Sequence, residues 1–346
     1  MLRTPPLRRR PVDMPELRQN RFTKEWVIIA TERAKRPDQM IVKREVKPLE
    51  RYAANCPFCP GNEAQAPPEV ARHPAEGPWQ VRVVPNKFAA LAREGKPVRT
   101  IHRSRRSING VGIHEVIAET PDHSATLALL PEAHVAEVVR MYKDRLESAH
   151  CDPRVAHVIL FKNHGSQAGA SLEHPHSQMI ATPVISSQVR MRMHEAMRHY
   201  DEFGECAFCQ MIEEEVEEKT RIVLVSEYFV VSEPYASGSP FATHIYPRYH
   251  MATFGEINDA EILDLGRVLK TVLAKLYWGL ENPDFNFTIR TAPPETAGEK
   301  HYHWYISLIP RLTKVAGFEL GSGMFINVVL PETAAEFLRN TDVSKR

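Results

Sequence analysis

The chain has 346 residues, 44 Lys and Arg against 43 Asp and Glu, a formal net charge of +1 and 43% hydrophobic residues. That length buries one large core or two ordinary ones, and so even a charge balance offers no electrostatic footprint for nucleic acid or an anionic membrane surface. No apolar run is long enough to cross a bilayer. Met1 to Val12 is rich in Arg and Pro but lacks an apolar h-region, so residues 1–15 read as a disordered basic tail rather than a secretory signal. Five cysteines form two C-x-x-C pairs and leave Cys151 alone. This usage fits a reducing compartment and metal ligation better than disulfides, which makes the cytoplasm the expected location.

In chain order, Glu25–Ala30 reads as a strand running into the basic turn Arg33-Ala34-Lys35-Arg36-Pro37. Cys56-Pro57-Phe58-Cys59 lies in a loop rich in Pro, Gly and Asn. Val81–Val84 is a short strand ending at Pro85-Asn86-Lys87-Phe88, and Gly112–Glu119 alternates as another, stopping at Pro121-Asp122-His123. From Pro131 to about Glu147, Val135, Val138, Val139, Tyr142 and Leu146 keep helical spacing. His157–Phe161 and Ser177–Ala181 read as strands, and Ser187–Glu202 as a connecting helix free of Gly and Pro.

The second half repeats this plan. Cys206-Ala207-Phe208-Cys209 echoes the first pair, strands at Arg221–Val225 and Phe229–Ser232 precede Pro247-Arg248-Tyr249-His250, and a helix over Asn258–Leu276 leads to the alternating strand Phe285–Ile289 and then His301-Tyr302-His303. The interval of 51 positions from His123 to His174 recurs from His250 to His301. Two α+β halves built on mostly antiparallel sheet flanked by helices, arisen by tandem duplication, are expected. Each half offers two thiolates and two imidazoles: Cys56, Cys59, His123 and His174, then Cys206, Cys209, His250 and His301. Four such ligands with no open position describe a closed structural zinc site, so one or two zinc ions are expected. A redox role for the pairs lacks the surrounding thioredoxin-like context.

The densest chemistry lies at His174-Pro175-His176-Ser177-Gln178, just after the Gly/Ser-rich run Asn163 to Ser171. Pro175 biases His174 toward extended backbone, and alternation then puts His174, His176 and Gln178 on one face. With His174 on metal, His176 is the free imidazole: mostly neutral at pH 7 and able to attack phosphorus, with a covalent intermediate and ping-pong kinetics. Gln178 donates to phosphoryl oxygens but cannot carry a proton, which favours transfer to another phosphate over hydrolysis.

These residues resemble the galactose-1-phosphate uridylyltransferase family, the transferase branch of the histidine-triad superfamily. The likeness covers about Leu17 to Leu338 and rests on Arg33-Ala34-Lys35-Arg36-Pro37, Pro85-Asn86-Lys87-Phe88, Asn163-x-Gly165, Gly169-x-Ser171 and His174-Pro175-His176-x-Gln178. It implies a histidine-triad-like catalytic half at 16–195 and a second such half at 196–346. It also implies that His176 is uridylylated, that Gln178 contacts the phosphoryl group, and that Arg33, Arg36, Asn86, Asn163 and Ser171 hold the nucleotide and its phosphates. Glu319, in Gly317-Phe318-Glu319, matches a sugar-binding glutamate. The implied partners are a UDP-sugar, a hexose 1-phosphate and a second copy of the chain in a homodimer, with neither nucleic acid nor membrane. The implied reaction converts UDP-glucose and galactose 1-phosphate to UDP-galactose and glucose 1-phosphate. His303 matches His176 in order but is followed by Trp304 and Tyr305, which marks the second half as a non-catalytic copy unless His303 is itself a metal ligand. The run Gly321-Ser322-Gly323, where some members carry glutamine, also resembles relatives that use adenylyl sugars, such as ADP-glucose phosphorylase. A zinc-stabilised nucleotide-binding protein without turnover is the third reading.

Overall fold

The chain opens with two short antiparallel strands, β1 (Glu16–Gln19) and β2 (Trp26–Ile29). Next come β3 (Ala71–His73), β4 (Val81–Pro85), the hairpin β5 (Arg99–His102) and β6 (Arg105–Ile108), β7 (Ile113–Ala118), helix α1 (Glu132–His150), β8 (His157–His164) and β9 (His176–Thr182). Helix α2 (Ser187–Phe203) leads to α3 (Ala207–Glu218), β10 (Ile222–Val225), β11 (Phe229–Ser232), β12 (Thr243–Pro247), α4 (Asp259–Gly279), β13 (Phe285–Arg290) and β14 (Tyr305–Pro310). The chain ends with α5 (Gly317–Ser322), β15 (Phe325–Asn327) and α6 (Pro331–Asn340). This computed structural model describes residues 14–30, 37–41, 49–296 and 298–344; residues 1–13 of the expected basic tail, Arg33 and Arg36 lie outside the described residues. No helix among the described residues is long and apolar enough to cross a membrane.

Among the described residues, ten strands form one sheet in the order β10-β11-β12-β14-β13-β8-β9-β7-β4-β3. All neighbours are antiparallel, so the fold is α+β as expected. Read outward from the β13–β8 junction, the order β8-β9-β7-β4-β3 is mirrored by β13-β14-β12-β11-β10, so the duplication is visible as a pseudo-two-fold axis between the halves. Strands β1 and β2 join β15 in a separate small sheet, which ties the start of the chain to the end of the second half.

Alternation on the sheet separates two faces. Val158, Leu160, Met179, Ala181, Ile117, Phe285, Phe287, Ile289, Ile306 and Leu308 point into one core, together with residues of α1 and α4. Within α1, Val135, Val138, Val139, Tyr142 and Leu146 are all buried, the stripe their spacing predicts. Helix α4 begins at a capping box, in which the Asn258 side chain accepts from the Glu261 N–H and Glu261 returns a bond to the Asn258 N–H. Its interior Gly266 has a packing cause: a Cβ there would lie 2.7 Å from the backbone of Ala136, so glycine lets α4 cross close over α1. That closeness offsets the roughly 1 kcal/mol of helix propensity a mid-helix glycine costs relative to alanine.

The two C-x-x-C segments are alike in sequence but not in shape. Pro60, Gly61 and Asn62 follow Cys59 and keep the first in a turn, whereas Gln210 to Glu218 contain no breaker, and the second starts helix α3 with Cys206 at its N-cap.

Candidate active site and metal-ligand clusters

Cys56, Cys59, His123 and His174, from a loop, a turn and the entry to β9, converge in a buried cluster whose four ligand atoms all lie within 4.8 Å of one another. Cys59 Sγ is 3.5 Å from His123 Nδ1 and 3.7 Å from His174 Nδ1. Ligands about 2.1–2.3 Å from a tetrahedral zinc stand about 3.4–3.8 Å from each other, so the donor set fits that ion. The orientation of His174 agrees. Its Nε2 is 2.7 Å from the Thr120 carbonyl, which only accepts, so Nε2 carries the proton and the Nδ1 lone pair faces the cysteine sulfurs.

The second cluster corrects one expectation: it is Cys206, Cys209, His250 and His303, and His301 is not a member. Cys209 Sγ lies 3.4 Å from His250 Nδ1 and 3.6 Å from His303 Nδ1. The Nε2 atoms of the two rings bond to the carbonyls of Glu299 and Pro247. His301 instead places Nδ1 3.5 Å from the Glu299 carboxylate. Equal intervals misled because the connections between strands differ in length. Position relative to the strand is what matters, since His174 and His303 each stand two residues ahead of their strand, β9 and β14. The phenylalanines confirm the pairing. Phe58 packs its ring against His174 and His176, at 5.8 and 5.7 Å, and Phe208 packs against His303 and Tyr305, at 5.9 and 5.5 Å. His303 therefore corresponds to His174, and the second half holds Tyr305 and Ser307 where the first holds His176 and Gln178.

His176 begins β9. Its Nδ1 is 2.8 Å from the His174 carbonyl, so Nδ1 carries the proton and Nε2 keeps the lone pair. Burial holds the imidazole below its usual range, against the pull of the His174 carbonyl upward, so the ring is neutral at pH 7. Beneath it lies a buried ionic cluster. Lys162 Nζ donates to Glu119 Oε2 at 2.5 Å and to the His176 carbonyl at 3.1 Å. Tyr142 and Ser177 hydroxyls donate to Glu119 Oε1. The strand bearing the imidazole is thus pinned from below.

Gln178 lies two residues on, on the same face, opposite Val116 of β7 and Phe161 of β8. Its Oε1 accepts from His114 Nε2 at 2.9 Å and from Asn86 Nδ2 at 3.3 Å. Asn163 stands two residues beyond Phe161, which by continuation of the β8–β9 register faces His176. Its Oδ1 accepts from Asn286 of the second half at 2.7 Å, which turns its NH2 outward. Gly165, at φ +80°, starts the loop that follows. Any Cβ there would strike the Asp284 carboxylate, so only glycine fits. Ser171 is exposed on that loop. Glu319 lies in α5 and caps its own helix through the Ala316 N–H at 3.0 Å, away from any contact with His176 or Gln178 within the described chain. His176, Gln178, Asn86 and Asn163 are therefore assembled in one place, whereas Ser171 and Glu319 are on flanking exposed segments. His303 as a ligand was the alternative the sequence left open, whereas His114 beside Gln178 escaped the sequence reading. Counting from the strand starts would have decided the first, and the face-sharing parity of β7 would have found the second.

An H-x-H-x-Q strand beside a Cys/His cluster, in a duplicated antiparallel sheet, is the architecture of a nucleotidyltransferase of the duplicated histidine-triad kind. The profile of galactose-1-phosphate uridyl transferase, N-terminal domain, matches residues 9–186. The chain is 34% identical to the ADP-glucose phosphorylase of Arabidopsis thaliana, over 95% of this chain and 94% of that protein. It is 31% identical to the galactose-1-phosphate uridylyltransferase of Thermotoga maritima, over 95% and 99% of the two chains. The crystal structure of an Arabidopsis thaliana ADP-glucose phosphorylase with bound ADP-glucose superposes with a TM-score of 0.83 at 33% identity, covering 96% of this chain and all of that one. The chain belongs to the galactose-1-phosphate uridylyltransferase family.

Proposed function

We propose that the protein transfers a uridylyl group from UDP-glucose to galactose 1-phosphate through a covalent intermediate on His176. The carrying observation is the tautomer of His176: with Nδ1–H held on the His174 carbonyl, Nε2 keeps its lone pair, and alternation along β9 puts His176 on the same face as Gln178. In the first displacement Nε2 forms a bond to the α-phosphorus and the bond from that phosphorus to the sugar phosphate oxygen breaks, releasing glucose 1-phosphate. In the second, a phosphate oxygen of galactose 1-phosphate attacks, the N–P bond breaks and UDP-galactose leaves. The leaving and entering groups are phosphates, so neither step requires a proton from the protein, and the glutamine at 178 suits this. Nδ1 keeps its proton throughout, which lets the His174 carbonyl stabilise positive charge developing on the ring. Asn86, Asn163, Ser171, Arg33 and Arg36 are proposed to hold the nucleotide and its phosphates, and Glu319 the sugar, with a homodimer as the working assembly.

The two clusters would hold zinc through Cys56, Cys59, His123 and His174, and through Cys206, Cys209, His250 and His303. Bound there, the ion supplies a structural cross-link between each C-x-x-C segment and its strand.

A second reading has ADP-glucose as donor and inorganic phosphate as acceptor. It is favoured by the likeness to the Arabidopsis phosphorylase and by the Gly321-Ser322-Gly323 run. Intact-mass measurement after incubation with each sugar nucleotide separates the readings. A uridylyl adduct on the peptide bearing His176, with little from ADP-glucose, is expected. An adenylyl adduct alone establishes the second reading, and no adduct from either overturns both.

A further inference from the structure

His114 belongs to no motif read from the sequence, yet it decides which way the Gln178 amide faces. Side-chain amides have two nearly indistinguishable orientations, so an assignment needs an anchor whose polarity is known. Two backbone N–H groups provide it. The Ala90 N–H donates to His114 Nδ1 at 3.1 Å, so in the neutral ring the proton is on Nε2, and that N–H meets Gln178 Oε1 at 2.9 Å. The Phe88 N–H donates to Asn86 Oδ1 at 2.8 Å, which turns the Asn86 NH2 toward the same Gln178 oxygen, at 3.3 Å, and toward His114 Nε2, at 3.0 Å. Two donors therefore converge on Oε1. A flipped Gln178 would set its NH2 against both. Among the described residues no protein group bonds the Gln178 amide nitrogen, which leaves its two N–H groups for the substrate.

We infer that His114 is a positioning residue for nucleotidyl transfer: with Asn86 it locks the Gln178 amide so that N–H, not C=O, faces the phosphoryl oxygens. This rests on the proposed transfer through His176. A carbonyl oxygen turned toward a phosphoryl group would repel it, so freedom to flip removes the donor for part of the time and adds a repulsive orientation. The effect should fall on chemistry more than on binding.

The test is single-turnover loading of His176 from UDP-glucose and, separately, ADP-glucose, followed by intact mass, in the full-length parent and in His114→Leu, His114→Gln, Gln178→Ala and the His114→Leu/Gln178→Ala double variant. His114→Leu should slow loading by about 10-fold or more, below the roughly 100-fold or greater loss expected when a transition-state donor is removed outright. Its nucleotide affinity should stay within about 3-fold. His114→Gln, which can place an N–H near the former Nε2, should recover most of the rate. In the Gln178→Ala background the His114→Leu change should add less than about 2-fold, since its effect passes through Gln178. Unchanged loading in His114→Leu, or an equal loss with and without Gln178, would overturn the assignment. A parent that loads from neither donor would remove the transfer reading, and this inference with it. A parent that loads normally beside an indifferent His114→Leu would remove this inference alone.

Discussion

Lys162 and Glu119 form an ion pair at 2.5 Å in which neither side chain retains more than 2% of its exposure, directly under the strand that carries His176. Burial by itself would push the Glu119 carboxyl up. The Lys162 charge and the hydrogen bonds from Lys162, Ser177 and Tyr142 outweigh it and hold the group below the ordinary carboxylate range. Replacing Lys162 with Met strands a buried carboxylate and frees the His176 carbonyl. The expected loss is about 3–5 kcal/mol, measured by urea unfolding. The paired change Lys162→Met with Glu119→Leu should recover much of it, because the cost lies in the orphaned charge.

Metal content distinguishes the two histidines of the second H-x-H. Elemental analysis of the parent should find about two zinc ions per chain, His303→Ala about one, and His301→Ala two, as the cluster membership requires. Cys59→Ser should lower the melting temperature markedly. Cys151→Ser, at an exposed position, should change stability by less than about 0.5 kcal/mol.

His176→Ala should reduce turnover by more than about 10⁴-fold while leaving zinc content and the melting temperature near those of the parent. Steady-state assay with metal analysis on the same sample checks it. Loss of zinc in this variant would reverse the division of labour between His174 and His176.

Glu233 sets a pH dependence of the opposite sign from Glu119. It has no exposed surface, its Oε1 accepts from Thr243 at 3.2 Å and its Oε2 meets no partner among the described residues, so burial pushes its pKa well above the usual value of 4.5. The folded state therefore keeps a proton that the unfolded chain releases near pH 4.5. Its contribution to stability is complete below that pH and is lost as pH rises through the folded value. Glu233→Gln should raise the unfolding midpoint at pH 8 and change it little at pH 4.5, so the difference between variant and parent grows with pH. Denaturant titrations at four pH values between these limits measure it. A constant difference would show that Glu233 is ionised in the fold.

Alternation and helical spacing determined much of this protein from the sequence alone. β13 follows the pattern of Phe285 to Ile289, and α1 and α4 bury the stripes their apolar residues mark out. The H-x-H-x-Q strand and the first Cys/His cluster were also legible, because Pro175 and the period of two orient neighbouring side chains without help from the rest of the chain. Tertiary structure alone decided what depends on contacts between distant segments. His303 rather than His301 joins the second cluster because the two histidine ligands stand 53 positions apart there, His250 to His303, against 51 in the first, and interval counting is blind to where a strand starts. Ala90, far from Gln178 in sequence, fixes the His114 tautomer, and Asn286 of the second half orients Asn163 of the first. Hydrogen-bond polarity of this kind is set by which backbone group arrives opposite a side chain, and only the folded sheet brings those groups together.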